Sequence, residues 1–118
     1  MTEWSFDEHR QVGKLVVSGA VTVAQVGELK GVLIDAIGRA PLVEVDVSRV
    51  EQIDIAGLQL LCAAHRLADA NGKRFSIIKT GEAVLHLVRS AGFAHALVCD
   101  QARHSACLWA KRAQPGVC

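Results

Sequence analysis

The sequence is poor in aromatic residues and has no marked excess of charge of either sign. Aromatic side chains make up 4% of the 118 residues, and tyrosine is absent. Lysine and arginine number 13 against 12 aspartates and glutamates, for a formal net charge of +1. Binding to nucleic acid or to an anionic membrane relies on clustered basic residues, and base stacking relies on aromatic ones. We therefore expect no nucleic-acid partner.

Long apolar runs are also missing. The chain contains no stretch of about 18 apolar residues, the length that a membrane-spanning helix requires. The opening residues, MTEWSFDEHR, carry charges of both signs and lack the apolar segment of a signal peptide. The sequence therefore predicts a cytoplasmic protein with no membrane span.

Cysteine and histidine occur without the spacing of a metal site or a redox motif. The four cysteines are Cys62, Cys99, Cys107 and Cys118. No two of them form a C-x-x-C pair, and without an export signal they are expected to be reduced thiols. His104 with Cys107, and Cys62 with His65, are better explained as chance neighbours on helices than as a metal site or a nucleophile with its base.

Glycine-rich phosphate loops and the G-x-S-x-G nucleophile elbow are absent as well. We therefore expect no cofactor, no metal and no catalytic activity.

What the sequence does contain is an alternation of strand-like and helix-like segments. Predicted strands cover residues 4–6, 14–18, 43–47, 74–79 and 96–99. Apolar residues at helical spacing predict helices that begin at Thr22, near Ala56 and after Gly81, with a terminal helix over 101–112. Thr22 and Gln25 have the spacing of a capping box.

The predicted order of elements is ββαβαβαβα. It indicates an α/β fold in which the sheet is mostly parallel after an N-terminal hairpin and is packed with helices. The length suits one domain, over residues 1–113, with a flexible C-terminal tail at 114–118.

The most informative segment is VEVDVSRVEQIDIAGLQLL, residues 43–61. Valine alternates with polar residues up to Ser48, which predicts a strand that ends there. Asp54 comes just before the predicted helix, where a carboxylate accepts hydrogen bonds from free backbone N–H groups. The residues of this helix predicted to face the sheet are Gly57, Leu60, Leu61, Ala64, Leu67 and Ala68.

This segment resembles the STAS domain, the fold of anti-sigma factor antagonists and of sulfate-transporter tails. The family carries Asp-Ser-Ser-Gly-Leu at the helix start, and the resemblance extends over roughly residues 14–98. The matching residues here are Asp54, Ile55, Ala56, Gly57 and Leu58. In phospho-regulated members the residue before the glycine is a serine that a partner kinase phosphorylates. Ala56 has no hydroxyl, so the resemblance implies that this switch is missing.

The resemblance further implies a non-catalytic regulator that binds a protein such as a histidine-kinase-like anti-sigma factor or a chemotaxis kinase. The predicted partner-binding residues are Asp54, Ile55, Ala56, Gly57, Leu58, Gln59, Cys62, Ala63 and Arg66. Small and apolar residues with an arginine at the rim suit a protein contact. For Ile55 and Leu58, burial in the core is an equally good explanation.

Two alternative functions stay open: a subunit that regulates the ATPase of a lipid-transporting ABC system, or a sensor of a nucleotide or lipid. A homodimer through edge strands is also compatible with the sequence.

Overall fold

The structure, a computed structural model, describes residues 2–90. Their elements are β1 (Thr2–Asp7), β2 (Val12–Val21), α1 (Val26–Arg39), β3 (Leu42–Ile53), α2 (Ile55–Ala70), β4 (Arg74–Thr80) and α3 (Glu82–Ser90). The predicted order of elements is confirmed over this range. The predicted last strand, the terminal helix and the tail at 114–118 lie outside the described residues.

The described strands form a sheet in the order β1-β2-β3-β4. β1 is antiparallel to β2, whereas β2 with β3 and β3 with β4 are parallel. The predicted α/β fold, with an opening hairpin and a sheet that is otherwise parallel, is confirmed. No helix among residues 2–90 is long and apolar enough to cross a membrane.

The hydrophobic core lies between the sheet and the helices, and it includes Val84 and Val88 of α3. Leu15, Val45 and Ile77 stand in register on three adjacent strands, and each is fully buried. Successive crossovers that move the same way along a sheet are right-handed, so they place α1 and α2 on the same face. The two helices accordingly contact each other, and Leu33 of α1 and Leu61 of α2 are buried.

β3 extends beyond the predicted strand. It continues to Ile53 instead of ending at Ser48, because its second half still pairs with β2. That pairing contains two irregularities in register, one next to Ser18 and one next to Ala20. The loss of alternation after Val47 therefore marks a bulge and not the end of the strand.

α1 begins at Val26, four residues later than the Thr22 of the prediction. Residues 22–25 form a turn, in which the N–H groups of Gln25 and Val26 both donate to the Thr22 carbonyl. Only half of the capping box forms. The side-chain oxygen of Gln25 accepts from the Thr22 N–H at 2.9 Å, but the Thr22 hydroxyl donates to that same oxygen at 2.6 Å.

Candidate functional site

Asp54 joins the end of β3 to two other segments. It has an extended backbone and is the N-cap of α2, where its Oδ1 accepts from the Gly57 N–H at 3.0 Å. Its Oδ2 accepts from the Val23 N–H at 2.9 Å. The bonds from Val23 and Gly57 stabilise the charged carboxylate and lower its pKa below the ordinary value. The predicted capping role of Asp54 is confirmed.

The contact with Val23 was not visible in the sequence. Val23 and Asp54 are 31 positions apart, and the donor is a backbone N–H that carries no sequence signal. The contact exists because β2 and β3 are parallel neighbours, so the chain leaves both strands at the same end of the sheet. Asp54 thereby fixes the 22–25 turn against the start of α2.

Gly57 brings the first turn of α2 against β2. A Cβ atom at this position would lie 2.3 Å from the carbonyl oxygen of Val21 and 3.0 Å from Cγ1 of Ile53. No residue with a side chain fits without a shift of the backbone. Glycine therefore sets the distance between α2 and the sheet at this end of the molecule.

The surface above this junction is partly apolar. The Val23 side chain is 70% exposed and that of Ile55 is 42% exposed. Gln59, Ala63 and Arg66 are exposed at intervals of three or four residues along α2, and therefore lie on one side of the helix. We call these five residues together with Ala56 the tip surface. Val23 was not among the predicted partner-binding residues, because nothing in the sequence distinguishes it from other apolar residues.

Leu58 and Cys62, both predicted to contact a partner, belong to the core instead. Their exposed fractions are 0% and 1%. Conversely, Leu67 was predicted to face the sheet but is 39% exposed, and Leu60 is only half-buried. The apolar residues surround most of this helix, so periodicity left its rotation open, and the contact of Gly57 with β2 decides it.

Asp46 is a second carboxylate, buried within β3 at an exposed fraction of 6%. It accepts from the Ser48 hydroxyl at 2.6 Å and from the Ser48 N–H at 2.9 Å. Burial raises its pKa, but both bonds from Ser48 and the charges of Lys79 and Lys14 lower it, and the net result is a pKa below the ordinary value. Asp46 and Ser48 stabilise the chain where β3 departs from its regular pairing with β2.

Potential metal ligands do not cluster within the part of the chain that the structure describes: no group of three or more His, Cys, Asp or Glu side chains occurs there. Within residues 2–90, Cys62 is not part of a disulfide, and it has almost no contact with solvent. His104 and Cys107 lie outside the described residues.

The sequence matches the family model described as Mlab, STAS domain, over residues 4–99. No curated protein matches the chain by sequence.

Similar solved structures include two of SpoIIAA. The anti-sigma factor antagonist SpoIIAA in its unphosphorylated form has a TM-score of 0.54 at 16% identity, over 65% of this chain and 71% of that one. The Bacillus cell fate determinant SpoIIAA in its phosphorylated form has a TM-score of 0.60 at 15% identity, over 78% and 84%.

An anti-sigma factor antagonist from Mycobacterium paratuberculosis has a TM-score of 0.65 at 20% identity, over 79% of this chain and 80% of that one. At such identities these likenesses show the fold. Together with the family match and the motif at residues 54–58, they establish that this chain belongs to the STAS domain family and has the fold of anti-sigma factor antagonists.

Proposed function

We propose that this STAS domain is a non-catalytic regulator that binds another protein through the tip surface. The observation that carries the proposal is the exposure of Val23 and Ile55 at a place where Asp54 and Gly57 hold the backbone. Exposed apolar side chains on a rigid backbone favour association. Binding removes them from water and costs little conformational entropy, because the backbone is already ordered.

The proposed partner is a histidine-kinase-like anti-sigma factor or a chemotaxis kinase in the cytoplasm. The fold shared with anti-sigma factor antagonists supports this choice. The charged and polar groups of the tip surface, Gln59 and Arg66, lie beside the apolar ones, an arrangement typical of the rim of a protein interface.

Ala56 occupies the position of the phosphorylated serine of phospho-regulated relatives. Since it carries no hydroxyl, a partner kinase has no acceptor there, and the domain is either permanently in the equivalent of the unphosphorylated state or regulated at another position. A phosphate would add up to two negative charges between Ile55 and Gln59. We expect Ala56→Asp, which introduces one such charge, to weaken partner binding.

A second candidate is binding to the ATPase of a lipid-transporting ABC system. The family model that matches this chain is described as Mlab, STAS domain, and that description favours this candidate. Both candidates use the tip surface and differ in the partner.

The test is affinity capture from the native lysate with quantitative mass spectrometry. The baits are the wild type, Arg66→Glu and the control Arg89→Glu, an exposed arginine on α3 outside the tip surface. All three should have the same melting midpoint within about 2 °C, because surface substitutions change stability by about 0.5 kcal/mol or less. We expect one protein to be captured by the wild type and the control and lost with Arg66→Glu. Its identity, kinase or ABC ATPase, separates the two candidates, and capture of the same proteins by all three baits would contradict the proposal.

A further inference from the structure

A groove between α1 and α2 continues from the tip surface along both helices. Its first part has a volume of about 440 Å³ and lies beside Ala56 and Arg66. Its second part has a volume of about 340 Å³ and lies beside Ile37 and Leu67. The two parts share Lys30, Leu60 and Ala63 in their linings, so they form one feature, the α1–α2 groove.

The α1–α2 groove is mixed in character in its first part, where Lys30, Gln59 and Arg66 join the lining, and mostly apolar in its second part. In its second part, Lys30 is the one residue that is not apolar. Ile34 is 49% exposed and Leu67 is 39% exposed, although both are large aliphatic side chains on an otherwise well-packed pair of helices. Small residues at Gly27 and Ala63 keep the groove concave. Such a surface gains free energy when an apolar segment of matching shape covers it.

The charges that line the groove have one sign. Lys30 and Arg66 contribute to the lining, and no aspartate or glutamate does. On α1, the nearby Asp35 lies outside the lining and forms an ion pair with Arg39, with 3.1 Å between Oδ2 and Nε. The whole chain is nearly neutral at +1, so the cationic character is local to the groove. Low-dielectric walls strengthen such a field.

We propose that the α1–α2 groove holds an acidic amphipathic helix of the partner protein, an inference that rests on the proposed partner-binding function. The groove follows α1 from Val26 to Ile37. At 1.5 Å per residue this is about 16 Å, or three turns of a helix. A helix of that length offers apolar side chains at i, i+3, i+4 and i+7 to Ile34, Leu60 and Leu67, as in other helix-in-groove complexes. Carboxylates on its flanks would face Lys30 and Arg66.

Two other occupants fit the groove less well. A second copy of the chain, docked by the same face, would bring the Lys30 and Arg66 side chains of both copies together, and like charges at an interface oppose association. A membrane surface cannot fill a concave groove between two helices, whereas a cylindrical helix can.

The test uses two model peptides and the full 118-residue chain. One peptide, of about 14 residues, has leucine at the helical spacing given above and glutamate at the flanking positions. Its twin has lysine in place of every glutamate. Binding is followed by fluorescence anisotropy and located by amide chemical shifts. The protein variants are Lys30→Glu/Arg66→Glu, Leu67→Gln and the control Arg89→Glu.

We expect the acidic peptide to bind the wild type and Arg89→Glu and to shift amides along the groove. Its affinity should fall about tenfold or more with Lys30→Glu/Arg66→Glu, a change of about 1.4 kcal/mol, and should also fall with Leu67→Gln. The lysine twin should prefer the charge-reversed protein. Equal binding of both peptides to the wild type, or no effect of either variant, would overturn the proposal.

Two further measurements assign the groove to another occupant if the proposal is wrong. If the protein sediments together with phosphatidylglycerol–phosphatidylcholine vesicles and Leu67→Gln abolishes this binding, the groove contacts a membrane surface. If the protein is a dimer in analytical ultracentrifugation and Leu67→Gln abolishes the dimer, the groove holds a second copy of the chain.

Capture experiments separate failure of the groove from failure of the proposed function. Loss of the captured partner with Ile55→Gln and not with Leu67→Gln would overturn the groove proposal and leave the tip surface in place. Capture that neither variant changes would overturn both.

Discussion

Replacing Gly57 by alanine is the sharpest test of the geometry at the start of α2. The added Cβ would lie 2.3 Å from the Val21 carbonyl oxygen. A carbon and an oxygen in contact are normally about 3.3 Å apart, so the first turn of α2 must move by about 1 Å. That movement lengthens the 3.0 Å bond from the Gly57 N–H to Asp54 and disturbs the Val23 turn on the other carboxylate oxygen.

The expected cost follows from two opposing effects. Forcing an extra methyl group into a packed site costs about 1–3 kcal/mol. Alanine recovers up to about 1 kcal/mol through its higher helix propensity, and less in the first turn than in the middle of a helix. We therefore expect Gly57→Ala to lower the free energy of unfolding by about 1–2 kcal/mol and the melting midpoint by about 4–8 °C.

Gly31→Ala makes the same chemical change without the steric conflict. Apart from the adjoining residues and backbone of its own helix, no atom lies within 4 Å of a Cβ built on Gly31, which is in the interior of α1. We expect this variant to gain about 0.5–1 kcal/mol, because alanine restricts the unfolded chain and favours the helix. Thermal and urea unfolding of the two variants should thus change in opposite directions. A Gly57→Ala protein as stable as the wild type would refute the proposed close contact between α2 and β2.

Three further pairs of substitutions test the carboxylates and the rotation of α2. The folded pKa of Asp54 is lowered, so its stabilising contribution is present above pH 3.8, the ordinary aspartate value, and is lost as the pH falls through the folded pKa. Asp54→Asn keeps a capping oxygen and should flatten the loss of stability below pH 3.8 in urea unfolding, while Asp54→Ala should also be less stable at pH 7. Ser48→Ala should lower the free energy of unfolding by about 1–2 kcal/mol and raise the pKa of Asp46 in a chemical-shift titration, and Ser48→Thr, which retains the hydroxyl, should do neither. Leu58→Ala should cost about 2–5 kcal/mol and Gln59→Ala about 0.5 kcal/mol or less in chemical denaturation; similar values for the two would contradict the rotation of α2 described above.

The sequence by itself was sufficient for the order of elements and for the family. Strand and helix periodicities are local properties, and they predicted the opening hairpin, the parallel sheet and α2 to within one residue at its start. The Asp-x-x-Gly-Leu motif at residues 54–58 forms its capping hydrogen bond within one turn of helix. The capping role of its carboxylate was therefore also predictable. The same motif identified Ala56 as the position without a hydroxyl.

Only the tertiary structure decided which residues around that motif meet the solvent. Leu58 and Cys62 are buried and Leu67 is exposed, because a rigid contact between Gly57 and Val21 sets the rotation of a helix that is apolar on most of its surface. Val23 lies at the site because its backbone N–H donates a hydrogen bond to Asp54. The α1–α2 groove is formed by two helices that are separated in the chain by β3. Periodicity reports the neighbours of a residue along the chain, whereas these features depend on how separate segments pack against one another.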